Sequence, residues 1–151
     1  MLTLPPKNTK GDTVLLSERV HPMLQQSGTP PRTGILAPPW RLLLHLGGDH
    51  HTTIGLEVRE HVVIGRRDPL AGFTPDLDLT SYGGKEHGVS RRHAVIVQDE
   101  AALYVKDLNT TNGTRINGFQ LEPERLYRLR DGDELELGRL RMIVRFVRAP
   151  Y

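Results

Sequence analysis

Cysteine is absent from the 151-residue chain, which excludes disulfide staples, thiolate zinc sites, iron–sulfur clusters and a cysteine nucleophile. It also fits a reducing, cytoplasmic setting. Aromatic residues make up only 5%, and no clustered basic aromatic face of the kind that holds nucleic acid is visible. An excess of one charge is nearly missing as well: 20 Lys+Arg against 18 Asp+Glu give +2. That balance speaks against bulk attraction to DNA or to an anionic membrane, so any anion site has to be built locally. No stretch approaches the ~20 apolar residues needed to span a bilayer. The N-terminus turns to Pro5, Pro6, Lys7 and Lys10 soon after Leu2 and Leu4, without an apolar signal core. The expectation is a soluble, cytoplasmic protein with no nucleic-acid or membrane partner.

What is present suffices to fold. Hydrophobic residues make up 37% and charged residues 25%, enough for one core without metal or disulfide staples. The chain divides near residue 40. Seven of the eleven prolines (Pro5, Pro6, Pro22, Pro30, Pro31, Pro38 and Pro39) precede it, and proline cannot donate to a sheet ladder. Residues 1–39 therefore read as an N-terminal extension. Asp12 is placed to cap a short helix carrying Val14, Leu15, Leu16 and Val20. Pro22 would kink that helix or open a second turn running to Gln26 and Gly28. Ser27 to Pro39 reads as a linker.

From Trp40 the texture changes to short apolar runs separated by turn signals. Strand candidates are Arg41–Leu46, Thr53–Val58, His61–Ile64, Leu77–Leu79, Ala94–Gln98, Leu103–Asp107, Thr114–Ile116, Leu126–Leu129, Glu134–Leu137 and Met142–Val147. Gly47-Gly48-Asp49 and Asp131-Gly132-Asp133 punctuate them, and Asn117-Gly118 is a strong two-residue hairpin signal. Many short strands without helical periodicity indicate an all-β, antiparallel sandwich or barrel.

The familiar enzyme patterns do not fit. Gly83-Gly84-Lys85 is followed by Glu86 and lacks the helix of a phosphate-cradling loop. Ser90, His93 and Asp107 lack the strand-to-helix elbow a serine nucleophile needs. His50-His51 sits in a turn composition with no third ligand in an obvious position, and alternation turns Asp76 and Asp78 outward while Leu77 and Leu79 point in. No catalytic residue, metal or cofactor is expected, and the protein reads as a non-enzyme.

Three loops are more specific. Ile64-Gly65-Arg66 ends a strand, Gly88-Val89-Ser90-Arg91-Arg92-His93 precedes one, and Asn109-Thr110-Thr111-Asn112-Gly113-Thr114 leads into Asn117-Gly118. Strand-end loops of a sandwich cluster on one edge. Together these offer guanidinium, hydroxyl, amide and backbone N–H groups, a donor set suited to a small dianion such as a phosphate ester. Neither a base nor a metal site accompanies them, which points to capture without turnover.

In order and spacing, Gly65-Arg66, Ser90-Arg91-x-His93 and Asn109-x-Thr111-Asn112-Gly113-Thr114-x-x-Asn117-Gly118 resemble the signature of the forkhead-associated (FHA) domain. Asp131-Gly132-Asp133-x-Leu135-x-Leu137-Gly138 resembles that family's closing segment. The resemblance covers residues 40–148, leaving residues 149–151 as a tail. It implies a β-sandwich of about eleven strands in two sheets whose apical loops bind phosphothreonine peptides. By that resemblance Arg66 holds the phosphate, while Ser90, Arg91 and Thr111 contact it. Asn112 bonds the peptide main chain, and Gly65, His93, Gly113, Thr114, Asn117 and Gly118 shape the site. The implied function is a phosphothreonine-peptide-binding adaptor in Ser/Thr kinase-linked signalling. Its partner would be a phosphothreonine-containing protein. The alternative is a phosphorylation-independent interaction or assembly module that uses the same sandwich and the N-terminal segment. Thr13, followed by Val14-Leu15-Leu16, is a candidate ligand for its own domain. The competing reading of Thr13 is an ordinary first helical turn behind the Asp12 cap.

Overall fold

The computed structural model describes residues 39–47 and 51–147. The expected helix from Asp12 to Gln26, Thr13 and the linker up to Pro38 lie outside the described residues, as does His50.

Eleven strands are found among the described residues: β1 (Trp40–Leu46), β2 (Thr52–Val58), β3 (His61–Gly65), β4 (Leu77–Asp78), β5 (Arg92–Asp99), β6 (Ala102–Asp107), β7 (Thr114–Ile116), β8 (Phe119–Gln120), β9 (Tyr127–Leu129), β10 (Glu134–Leu137) and β11 (Leu140–Val147). They form a six-stranded sheet, ordered β2-β1-β11-β10-β7-β8, and a five-stranded sheet, ordered β4-β3-β5-β6-β9. The expected all-β sandwich of two sheets is what the chain builds.

Period-two alternation fills the space between the sheets. Leu42, Leu44 and Leu46 of β1, Leu135 and Leu137 of β10, and Met142 and Val144 of β11 point inward from one side. Ile64, Ile96, Leu103 and Val105 meet them from the other. Arg41, Glu136, Arg141 and Arg145 take the outward positions of the same strands. On the far face of the five-stranded sheet, Ala102, Tyr104 and Leu126 form a small second cluster with Val97 against it. The Trp40 and Phe146 rings meet edge to face, 5.1 Å between centroids, and fasten the start of β1 to the end of β11.

Two features depart from the expected pattern. The β3–β4 pair is parallel, Ile64 opposite Leu77. The chain returns through the loop of residues 66–76, with a single 3-10 turn at Pro69–Ala71, and re-enters in the same direction. β8 is also new: two exposed residues carry no alternation to announce them. It exists because Asn117 and Gly118, both at positive φ (51° and 83°), make the tight hairpin that lays Phe119 opposite Ile116.

Strand directions set the polarity of the molecule. β3, β6 and β10 run toward one end, where residues 66–76, 79–91, 108–113 and 138–139 connect the strands. Arg41 lies opposite Val147 at the other end. The chain therefore enters and leaves at the end remote from those four loops.

Candidate functional site

The loops are joined to one another by hydrogen bonds from the backbone outward. At the end of β3 the ladder to β5 slips by one residue between Ile64 and Gly65. This bulge brings Gly65 so close to β5's approach that a Cβ there would sit 1.9 Å from the Arg91 carbonyl oxygen. Only glycine fits, and the resulting proximity lets the Arg66 N–H donate to the Arg91 carbonyl at 3.2 Å.

Arg66 is half-buried, and its Nε donates to the Val89 carbonyl at 2.7 Å. One edge of the guanidinium is thereby fixed on the peptide unit that leads into Ser90. Among the described residues its two terminal nitrogens have no partner. Ser90 itself is held through its backbone: its N–H donates to His93 Nδ1 at 2.9 Å, which leaves the hydroxyl uncommitted.

His93 is fully buried. Because Nδ1 accepts from Ser90, the ring proton sits on Nε2, which donates to the Gly113 carbonyl at 2.9 Å. Burial pushes its pKa below the ordinary imidazole value, outweighing the Gly113 carbonyl and the Asp107 carboxylate, which both favour the charged ring. A neutral imidazole thus bridges the Ser90 loop and the Gly113 loop from beneath, as a brace and not as a surface group.

The loop between β6 and β7 is organised by Asp107, buried at the end of β6. Oδ1 accepts from the Thr110 hydroxyl at 2.7 Å and the Thr114 hydroxyl at 2.6 Å, and Oδ2 accepts from the Thr110 N–H at 3.1 Å. The Thr110 oxygen in turn accepts from the Gly113 N–H at 2.9 Å. This knot presents Thr111 and Asn112 outward, both exposed. Asn112 Nδ2 donates to the Gly88 carbonyl at 3.0 Å, so its amide spans the gap to the Ser90 loop. Gly113 sits at φ 84°, with Gln120 where a side chain would project.

Arg91 is placed differently from Arg66. Its guanidinium faces Asp68 at 2.7 Å and is 59% exposed, so it lies at the rim, paired. That hydrogen bond, opposed by desolvation, holds the Asp68 carboxyl below the usual range. Arg67 turns away to Asp78 at 2.9 Å, and Arg92 lies 5.8 Å over the Phe73 ring. Asp78 points outward as alternation requires, but it is more than a solvated acid. Desolvation works against its charge, yet bonds from the Thr80 hydroxyl and N–H and from Arg67 prevail and bring its pKa to about 2.

Asn117 and Gly118 stand at the other end of β7. Asn117 Nδ2 donates to Asp133 Oδ1 at 2.9 Å, and its Oδ1 accepts from the Glu134 N–H at 2.9 Å. They lock the β7–β8 hairpin, at the far end of β7 from Asn112. The β10–β11 turn completes the loop cluster: Gly138 N–H donates to the Gly113 carbonyl at 3.0 Å, and Arg139 N–H to the His87 carbonyl at 2.7 Å.

Sequence reasoning weighed Asp107 only as a triad partner and missed its part in shaping the loop, and it did not single out Thr110 or Asp68. For the first two a signal exists, an aspartate at a strand end with a threonine three residues on, the spacing of a side-chain-capped turn. Asp68 meets Arg91 only through the fold, 23 residues away.

Comparison with known proteins places this geometry. FraH of Nostoc sp. is 39% identical over 71 residues, which cover 47% of this chain and 24% of FraH, so the match spans about a quarter of that relative's length. An FHA domain solved in a structural and functional analysis of phosphothreonine-dependent FHA domain interactions is 31% identical. It superposes with a TM-score of 0.55 over 72% of this chain and 99% of its own. The FHA domain of FhaA, a Mycobacterium tuberculosis protein, solved in complex with the intracellular domain of Rv3910, is 33% identical. It has a TM-score of 0.52 over 69% of this chain and 99% of its own. The sequence model of the FHA domain matches residues 62–138, the stretch that carries the bulge, the brace and the knot described above. The chain belongs to the FHA domain family.

Proposed function

We propose that the loop cluster binds phosphothreonine peptides and that the domain, residues 40–148, serves as a non-enzymatic adaptor in Ser/Thr kinase-linked signalling. The observation that carries this reading is the state of Arg66: anchored through Nε on Val89 and open at both terminal nitrogens, next to an uncommitted Ser90 hydroxyl. A fixed guanidinium with a free fork is pre-organised for two phosphate oxygens. A phosphate ester carries about −1.5 to −2 charge near neutral pH, so its removal should abolish most of the affinity. In this reading Ser90 and Thr111 supply hydroxyl donors and Asn112 offers its amide to the peptide main chain. Arg91 reaches the phosphate on leaving Asp68. Preference for threonine over serine follows from burying one methyl, worth about 0.8 kcal/mol. The related FHA domain described for its phosphothreonine-dependent interactions supports the same ligand class.

The ligand's source is a phosphothreonine-containing protein, and phosphorylated Thr13 is one candidate within this chain. The tether from Thr13 to Pro39 spans up to about 85 Å when extended. β1 starts at the end remote from the loops, yet a strand the length of β5 rises only about 26 Å. Reach therefore permits it. Equal phosphopeptide affinity of kinase-treated parent and Thr13→Ala chains would remove Thr13 from consideration.

The test of the main reading is a titration of a phosphothreonine peptide library and its unphosphorylated copy against the parent and Arg66→Ala. Selective capture of the phosphorylated library by the parent, weakened at least about 100-fold in Arg66→Ala, is the expected result. Equal binding of both libraries would discard it in favour of a phosphorylation-independent assembly module.

A further inference from the structure

On the outer face of the six-stranded sheet, one residue row below the apical loops, strand register sets four polar side chains side by side. Gln120 of β8 is opposite Arg115 of β7, Arg115 is opposite Glu136 of β10, and Glu136 is opposite Arg141 of β11. Arg139, at the turn above, joins them. Asn112, Arg115, Gly118, Glu136, Gly138, Arg139 and Arg141 line one open groove of about 540 Å³. Asn112 therefore belongs both to the candidate phosphothreonine site and to this groove, and the two are continuous.

The charge of the groove is uneven. Three arginines face one carboxylate. Glu136 is engaged by Arg141 at 3.6 Å. Arg139 Nη2 spends one bond on the Glu86 carbonyl at 2.7 Å, which leaves its charge uncompensated. Arg115 is half-buried and has no partner among the described residues. Two positive charges beyond what Glu136 can balance thus converge in a concave strip that begins where the peptide main chain would leave Asn112. In a chain whose total charge is only +2, such a concentration is local by construction.

We propose that this groove is a second anionic subsite. It receives acidic side chains, carboxylate or phosphorylated, of the same ligand chain beyond the residue gripped at Arg66 and Ser90. The inference rests on the phosphothreonine reading and deepens it by assigning the class of flanking sequence. Arg115 and Arg139 are the specificity-determining residues. Glu136 pairs with Arg141, which leaves Arg115 and Arg139 to carry the excess positive charge that disfavours basic flanks.

The experiment uses the full chain and four synthetic phosphothreonine peptides. One is flanked by glutamates on the N-terminal side, one by glutamates on the C-terminal side, one by a second phosphothreonine, and one by glutamine and serine only. Each has an unphosphorylated copy. Parent, Arg115→Ala/Arg139→Ala and Arg66→Ala are titrated at about 0.05 M and about 0.5 M salt. For the parent, one glutamate-flanked arm and the doubly phosphorylated arm should bind about fivefold tighter than the neutral arm at low salt. That ratio should shrink at high salt and approach one in the double variant. If the neutral and acidic arms bind the parent equally while Arg66→Ala still loses phosphate-dependent binding, the second subsite is wrong and the phosphothreonine reading stands. If the ratio survives in the double variant, the assignment to Arg115 and Arg139 is wrong. If phosphorylated and unphosphorylated copies bind alike, both readings fall together.

Discussion

His93 shows how much of this site depends on a single protonation state. Its two ring nitrogens are committed in opposite senses, Nδ1 accepting from Ser90 and Nε2 donating to Gly113. Protonation would turn the acceptor into a donor facing another N–H. Burial depresses its pKa from 6.5, so between that value and the lowered one the unfolded chain binds more protons than the folded one. Stability is then full above about pH 6.5 and falls as the solution is acidified through the folded-state value. Urea unfolding midpoints measured from about pH 7.5 down to 5 should fall for the parent. They should fall less steeply for His93→Asn, which has no such proton to take up. Parallel profiles for the two chains would contradict the brace. The motif announces His93 as structural, and in the fold it is fully buried between the Ser90 and Gly113 loops. What the sequence cannot show is the tautomer, which depends on which backbone groups the fold brings to each nitrogen. Nor can it show that Arg91 is paired with Asp68, because a rim contact across 23 residues leaves no local trace.

At the scale of the element, the loop from β6 to β7 owes its form to one buried carboxylate with three bonds converging on it. Asp107→Ala removes these and strands the buried Thr114 hydroxyl. The expected cost is about 2–4 kcal/mol of stability, read by chemical denaturation. Phosphopeptide affinity should drop alongside it, because Thr111 and Asn112 lose their support. A loss under about 0.5 kcal/mol would show that the knot is incidental. Legibility at this scale follows burial. Strands with alternating apolar residues, such as Leu42-x-Leu44-x-Leu46, are evident from composition alone. β8 is hidden because both of its residues are exposed, and it is specified by the Asn117-Gly118 turn before it. The parallel β3–β4 pairing is hidden for another reason: a two-residue strand carries no information about direction, which the intervening loop decides.

For the whole molecule, the consequential fact is polarity. Both ends of the described chain lie at one end of the sandwich, and four loops gather at the other, bonded to each other through Arg66, His93, Asn112, Gly138 and Arg139. A sequence can say that strand-end loops will gather. It does not say that the β10–β11 turn joins them or that the outer sheet face continues the site as a cationic groove, since Arg115, Glu136 and Arg141 are 21 and 5 residues apart and meet only through register.

The central claim is that separate loops form one receptacle for a phosphorylated threonine. Its most direct test is amide NMR of the full chain titrated with a phosphothreonine peptide. The largest shifts are expected at the backbone amides of Arg66, Ser90, Arg91, Thr111 and Asn112 together, saturating on one isotherm. They should be absent with the unphosphorylated peptide. Shifts confined to another face, or the same pattern from both peptides, would contradict the claim.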